Sequence, residues 1–465
     1  MNGLIALFAL SLWIIWLLSL ERKERPSVSS AIWIVLIWVI IHSTRTTSAW
    51  LGLQGSQSRD EGSPIDAAIE LVLLLLATAV LLQRNINWSR VISGNIWVFV
   101  FYVFWFASVT WSDYPFITLK RVFKDFGNVI MVLIVLTESN SWESFKAVLV
   151  RMAYLCIPLS IVLIRYYPEW GRTTVGYHLD ATFYNGVASH KNVLGIVVLA
   201  STLGLLWNLL DNTWKNRNFV RKCVYVSQVL ILCMCWYLFV IIDSASSLIA
   251  TILGVAATLT FQLRVFKRRP VYVEIFAVIA LGFALVLDLL FNLKEAIVVG
   301  ALGRDMTLTS RTDMWQILET YVENPIVGAG FNTFWTGDRL LLLPEHLQGN
   351  VQAHNGYLEL YLNGGIIGVG LLAVLIFTGY LHIRKRLILS RPEDMARLVV
   401  LVSVIIHNYT EASFTKIGVL WFATIFAFME YGKQQFSPKV RRVEIHAPSL
   451  PSGWKSGSDL STSNA

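Results

Sequence analysis

Apolar residues fill long blocks of this chain, and short polar or basic segments divide them. The blocks lie near residues 3–20, 31–42, 66–82, 95–111, 122–137, 146–166, 191–210, 223–242, 246–263, 271–292, 356–382, 397–408 and 415–431. A bilayer core ~30 Å thick takes about 20 helical residues to cross, and inside it every backbone group needs an internal partner. The pattern therefore predicts an all-α, polytopic integral membrane protein with about 12–13 transmembrane helices, one short block of which could be re-entrant. A soluble fold is excluded.

Composition supports that reading, with 55% hydrophobic residues, 15% charged residues and 18 Trp. The net charge of +8 could suggest nucleic acid, but the Lys and Arg fall in short clusters between blocks and read as topology signals, so no nucleic-acid partner is expected. Clusters at Arg22/Lys23/Arg25, Arg84/Arg90, Lys215/Arg217/Arg221/Lys222, Arg264/Lys267/Arg268/Arg269, Arg384/Lys385/Arg386/Arg391 and Lys439/Arg441/Arg442 all fall on one side of the alternating spans. That side is cytoplasmic by the positive-inside rule. The opposite face receives 43–65, 112–121, 167–190 and the longest loop, 293–355. The first block lacks a preceding basic segment and reads as an anchor with its N-terminus outside. Cys156, Cys223, Cys233 and Cys235 all fall in spans without metal-ligand or redox spacing. Residues 1–431 read as one transmembrane domain, and 432–465, rich in Ser, Pro and Gly, as a disordered cytoplasmic tail.

The candidate chemistry gathers on the outer face. Ser189-His190-Lys191-Asn192 precedes one outward-facing helix start, and His354-Asn355 precedes another. Exposed N–H groups and the helix dipole favour anions at such ends, so Lys191 and the two starts suit a phosphate or diphosphate; simple capping by Ser189 or Asn355 is the alternative. Within the long loop, residues 308–322 predict a helix lying on the membrane, capped by Ser310 or Thr309, with Met314, Trp315, Leu318 and Val322 on its apolar face. Arg311 then stands at that helix start, where the dipole disfavours a cation. It is either solvated or gripping an anion. Arg121, beyond Trp111-Ser112-Asp113-Tyr114-Pro115, is a candidate ligand for the same anion. Glu359, one turn into its helix, either orients His354 or complements the dipole. Gly364 and Gly368 allow close helix packing. Glu70, Arg151 and Glu274 are intramembrane charges with no assigned role.

Three stretches together carry a resemblance: Ser189-His190-Lys191-Asn192-Val193-Leu194-Gly195, Ser310-Arg311 through Asn324-Pro325-Ile326-Val327-Gly328-Ala329-Gly330, and His354-Asn355 with Gly365-Ile366-Ile367-Gly368. Over roughly residues 95–430 the chain resembles the O-antigen ligase and polysaccharide polymerase family. The resemblance implies a metal-independent, inverting glycosyltransferase without a cofactor. Such an enzyme moves a glycan from undecaprenyl diphosphate to a sugar hydroxyl at the periplasmic face of the bacterial inner membrane. It implies that His354 acts at the acceptor hydroxyl and that Arg311 holds the donor diphosphate; Arg121, His190, Lys191, Asn192, Asn355 and Glu359, from the outer-face reading, are the candidate substrate-binding residues. The implied partners are the lipid-linked oligosaccharide donor, a glycan acceptor and the bilayer, with a chain-length regulator as a further one.

One departure separates two versions of this function. Where ligases carry a second outer Arg, this chain has Asp243-Ser244-Ala245-Ser246-Ser247-Leu248, and its His-Lys-Asn motif is similar to ExoQ-type exopolysaccharide polymerases. Lys191 could replace the missing charge. Polymerisation of exopolysaccharide or O-antigen repeat units is the favoured reading, ahead of ligation to lipid A-core. A glycolipid transporter without chemistry is the alternative from another class; transporters place their charges near the membrane midplane, whereas the polar candidates here lie at one face, with Glu70, Arg151 and Glu274 as the exceptions. Trp315, Phe331, Phe334, Trp335 and Tyr357 are candidates for stacking on sugar faces.

Overall fold

The computed structural model describes residues 2–53, 62–174, 182–211, 219–263, 311–347, 352–387 and 392–431, with the single positions 266, 272 and 275. The expected span at 271–292, Glu274, the caps Thr309 and Ser310, the first part of the long loop and the tail 432–465 lie outside the described residues. Each of the other expected spans falls on a helix.

In chain order these are α1 (Gly3–Glu24), α2 (Ile32–Ser43), α3 (Thr47–Trp50), α4 (Pro64–Gln83), α5 (Trp88–Gly94), α6 (Ile96–Ala107), α7 (Pro115–Leu136), α8 (Ser141–Tyr166), α9 (Pro168–Gly171), α10 (Lys191–Asp211), α11 (Phe219–Ile242) and α12 (Ala245–Thr260). Then follow α13 (Arg311–Thr320), α14 (Arg339–Leu342), α15 (Gly356–Leu387), α16 (Pro392–Thr410) and α17 (Val419–Phe428). A two-stranded antiparallel ribbon, Arg172–Thr174 with Thr182–Tyr184, is the sheet among the described residues. The chain is a multi-pass membrane protein of all-α class. Six of the described helices are long and apolar enough to cross a membrane, or seven if α5 and α6, bent by 85° at their junction, form one span. Helices α7 and α16 fall outside that set because each carries several charges: Lys120, Arg121, Lys124 and Asp125 on one, Glu393, Asp394 and Arg397 on the other.

The bundle is built around α10, which packs on α8, α11 and α12; α12 in turn meets α16, and α16 meets α15 and α17. Helix α8 is buried along most of its length, as a central helix hydrophobic on all sides should be. Two of the unassigned charges serve this packing. Arg151 donates from Nε to Glu21 Oε2 at 2.8 Å, and Glu21 also accepts from Arg25 at 3.1 Å. Glu70 pairs with Lys124 at 2.5 Å and meets His42 Nε2 at 3.2 Å. Charges buried among helices need such partners.

Helix α15 is broken at Gly365, whose backbone turns to φ 58°, ψ −161°. The break is stitched to the loop before it: Ala329 N donates to Leu362 O (3.1 Å), Gly330 N to Asn363 O (2.9 Å), Ile366 N to Pro325 O (2.8 Å) and Ile367 N to Ile326 O (3.2 Å). The Asn-Pro-x-x-Gly-x-Gly stretch and the Gly-Gly-x-x-Gly stretch are thus two halves of one contact. A Cβ on Gly365 would lie 2.3 Å from the Ile326 carbonyl carbon, and one on Gly328 2.4 Å from that of Asn363. Gly364 has a different task, lying against Trp105 of α6. Gly365→Ala should therefore cost about 1–3 kcal/mol for the left-handed backbone alone, with the clash added. A lowered thermal midpoint and a broadened gel-filtration peak are the expected result; an unchanged midpoint would refute the stitch.

The expectation of a membrane-surface helix at α13 is corrected. Met314 and Leu318 are buried in a cluster with Phe334, Trp335, Leu343, Leu347, Ala353, Leu358 and Leu362, and Trp315 and Val322 rest against it. The apolar face is turned onto the protein because the loop after α13 folds back over the start of α15. The same burial makes Phe334 a core side chain rather than an exposed sugar platform.

Candidate active site

The turn between α16 and α17 carries Glu411, which is 4% exposed and stands at the centre of a polar cluster. Its Oε1 accepts from Asn192 Nδ2 at 2.6 Å and from Arg311 Nη2 at 3.0 Å, and its Oε2 lies 3.2 Å from His354 Nδ1. Three segments far apart in sequence therefore meet on the carboxylate of a fourth. The same segments are fixed by backbone contacts: Gly356 N donates to Glu411 O at 3.0 Å, and Arg311 Nη1 donates to the Thr410 carbonyl. Asn408 Oδ1 accepts from Ser413 N (2.8 Å) and Phe414 N (3.0 Å), closing the turn after Glu411.

Burial by itself would raise the Glu411 carboxyl. The hydrogen bond and charge of His354, with the Arg311 guanidinium, outweigh it and bring the carboxyl down to about 2. An ionised carboxylate only accepts, so His354 Nδ1 must be the nitrogen that carries the proton. Gln352 Nε2 also comes within 3.3 Å of Nδ1. One ring nitrogen cannot donate to one and accept from the other, and the charged partner makes the stronger bond. That tautomer leaves the lone pair on Nε2 of the neutral imidazole. The backbone of His354 sits at φ 50°, a region a histidine occupies only when its surroundings hold it there, and one that recurs at active sites.

The imidazole opens into a cavity of about 480 Å³ lined also by Ser189, His190, Asn192, Gln352, Glu411 and Lys416. His190 Nδ1 accepts from Asn192 N at 3.3 Å; burial lowers its affinity for a proton below the usual histidine range, with Glu411 opposing. Lys416 donates to Gln352 Oε1 at 2.6 Å, and desolvation lowers its ammonium, opposed by Glu359 and Glu411. Among the described residues no three His, Cys, Asp or Glu side chains are grouped so as to hold a metal ion.

Of the residues singled out in the sequence, His354, Arg311, His190 and Asn192 are brought together here. Asn355 caps α15, its Oδ1 accepting from Tyr357 N (3.0 Å) and Leu358 N (3.2 Å). Lys191 pairs instead with Asp243 at 3.2 Å and lies over the Phe183 ring, so its charge stands beside the segment that lacks the second Arg. Glu359 accepts from Trp335 Nε1 (2.9 Å) and Ala353 N (2.7 Å), which locks the residue before His354. Arg121 lines a neighbouring cavity, not the one around His354. Glu411, Gln352 and Lys416 were not singled out. The signal for Glu411 was present: a lone carboxylate in a short turn between two apolar spans needs a partner or a task.

The O-antigen ligase family matches residues 228–373, a stretch that includes Arg311 and His354 and ends before Glu411. The chain is also similar to "Exopolysaccharide production protein ExoQ" of Rhizobium meliloti (strain 1021), 23% identical over 338 residues that cover 67% of this chain and 71% of that protein. Both matches support a polysaccharide polymerase or ligase role, and together with the apolar helices they support membership of the O-antigen ligase/ExoQ-like family.

Proposed function

We propose that the chain is an inverting, metal-independent glycosyltransferase that polymerises exopolysaccharide or O-antigen repeat units at the periplasmic face of the bacterial inner membrane. The donor is a glycan on undecaprenyl diphosphate, and the acceptor is a sugar hydroxyl. The observation that carries this reading is the pairing of His354 Nδ1 with the Glu411 carboxylate at 3.2 Å, which leaves Nε2 as the ring nitrogen able to act as a base in a residue that lines the cavity.

In the proposed step the acceptor oxygen attacks the anomeric carbon, its proton passes to His354 Nε2, and the bond from carbon to the diphosphate oxygen breaks. General-base assistance of this kind contributes typically about 10²–10⁴-fold. The diphosphate leaves as an anion and needs charge rather than a proton. Arg311 has five N–H donors in its fork, and it lies against the same Glu411 that orients the base. Lys416 adds a second cation at the cavity wall. Such preorganised charge stabilises the leaving group without reorganisation. The orientation of the basic clusters supports a periplasmic site, since His354, Glu411 and the start of α10 share the face opposite to them.

The test is purified protein in detergent with a prenyl-diphosphate oligosaccharide, its products resolved by size. A ladder of longer lipid-linked glycans is the expected result. A single product formed only when lipid A-core is supplied would make it a ligase. Absence of any new glycosidic bond with either acceptor would overturn the catalytic reading in favour of transport.

A further inference from the structure

Glu411 stands just past the last residue of α16, in a turn, and a loose turn could not keep a carboxylate within hydrogen-bond reach of one chosen ring nitrogen. Asn408, near the end of α16 and fully buried, closes that turn. We infer that Asn408 is a positioning residue for the transfer step: its amide sets where Glu411 stands against His354. The inference rests on the glycosyl-transfer reading above and adds to it a residue that does not line the cavity of His354.

Three observations carry it. The first is that the amide is fully used. Asn408 Oδ1 accepts from Ser413 N at 2.8 Å and Phe414 N at 3.0 Å, while Nδ2 donates to the Val404 carbonyl at 2.9 Å and to Ser413 Oγ at 2.8 Å. Two N–H groups on one side and a carbonyl on the other admit a single orientation of the amide. Ser413 and Phe414 are themselves buried, so without Asn408 their N–H groups have no solvent to bond and the turn has to rearrange to satisfy them.

The second is what the turn carries. Glu411 N donates to the His407 carbonyl and Gly356 N to the Glu411 carbonyl, both at 3.0 Å, and Glu411, Ala412 and Ser413 all line the cavity. Phe414, held through its N–H, meets Tyr357 edge-on with ring centroids 5.4 Å apart. The turn that bears the carboxylate is thereby keyed to the helix start that bears the base.

The third is the fit of Asn408 against that helix start. Gly356 opens α15, and a Cβ there would lie 2.1 Å from Asn408 Oδ1. Alanine is the better helix former, yet it has no room while the amide is in place. Glycine and amide are matched, and the match lies between the base and its carboxylate.

The experiment is steady-state transfer from a prenyl-diphosphate oligosaccharide by the full chain in detergent, with NMR of the same protein labelled with ¹⁵N-histidine. Asn408→Ala should lower kcat by between about tenfold and about 10²-fold, the latter being the cost of a misplacement near 1 Å. Donor KM should hold, because Arg311 keeps its bond to the Thr410 carbonyl, which belongs to the helix rather than the turn. In a Glu411→Gln background the same substitution should cost little more, since residues that act through one contact are not additive. The Nδ1 proton signal of His354, assigned by its loss in His354→Ala, should disappear in Asn408→Ala. If that variant does not fold, Gly356→Ala takes its place: the methyl displaces the amide while every hydrogen-bonding group is kept, and the same loss in kcat is expected. A loss that appears in donor KM instead, a full further loss in the Glu411→Gln background, or an unchanged His354 signal would overturn the inference while the transfer reading stands. A lowered thermal midpoint with kcat per folded chain unchanged would make Asn408 a helix cap only and overturn it likewise. No glycosidic product from wild type would remove the transfer reading and this inference with it.

Discussion

His354→Ala abolishes measurable glycan transfer, by at least about 10²–10⁴-fold in kcat, while leaving donor binding within a few-fold of wild type. The imidazole is the base of the proposed step and makes its contact to Glu411 from the ring, so its loss removes proton transfer without removing Arg311 or Lys416. The His354 backbone at φ 50° would be strained for alanine too, so the variant needs a thermal-stability control. Single-turnover product formation with prenyl-diphosphate saccharide is the measurement. Transfer that persists within tenfold of wild type, in a protein of normal stability, would remove His354 from the chemistry.

Glu411→Gln should come next in size, with transfer reduced about 10²-fold or more. A neutral amide can present its N–H₂ to His354 Nδ1, which stabilises the tautomer with its proton on Nε2 and so takes away the base; the orientation of a catalytic imidazole by a carboxylate works this way in other enzymes. The substitution also leaves the Arg311 guanidinium without its ion pair at 3.0 Å, and removing one partner of a buried pair costs about 3–5 kcal/mol. A second readout separates orientation from simple loss of folding. The folded carboxyl titrates at about 2 against a reference of 4.5. Its ionised form therefore contributes stability that is fully present above pH 4.5 and is lost as pH falls through about 2. The difference in thermal midpoint between wild type and Glu411→Gln should be largest near neutrality and shrink as the pH is lowered below 4.5. A constant difference across that window would show that the charge of Glu411 is not what holds the cluster.

Several parts of this protein were legible in order. The apolar blocks mark helices outside 271–292 because membrane burial demands a long run of apolar side chains, which is visible one residue at a time. The His354-Asn355 start could be read for the same reason, since a polar pair opening an apolar helix needs a local cap, and Asn355 supplies it. Arg311 stood out because a cation at a helix start is locally unfavourable and calls for a compensating anion. That anion, Glu411, lies one hundred residues downstream and accepts its hydrogen bond at 3.0 Å.

What the sequence by itself determined was the all-α membrane class and the placement of the described helices, which follow from local hydropathy; it also nominated His354, Arg311, His190 and Asn192, through helix-start position, charge and the family resemblance. Only the tertiary structure decided that Glu411 joins them, that Lys191 goes to Asp243, and that Arg121 faces a separate cavity across Lys416. It also decided that the Gly365 break is filled by the Pro325–Gly330 backbone. The physical reason is the same in each case: a buried charge or a left-handed glycine announces that a partner must exist, but which group meets it is set by contacts between helices that are distant in the chain.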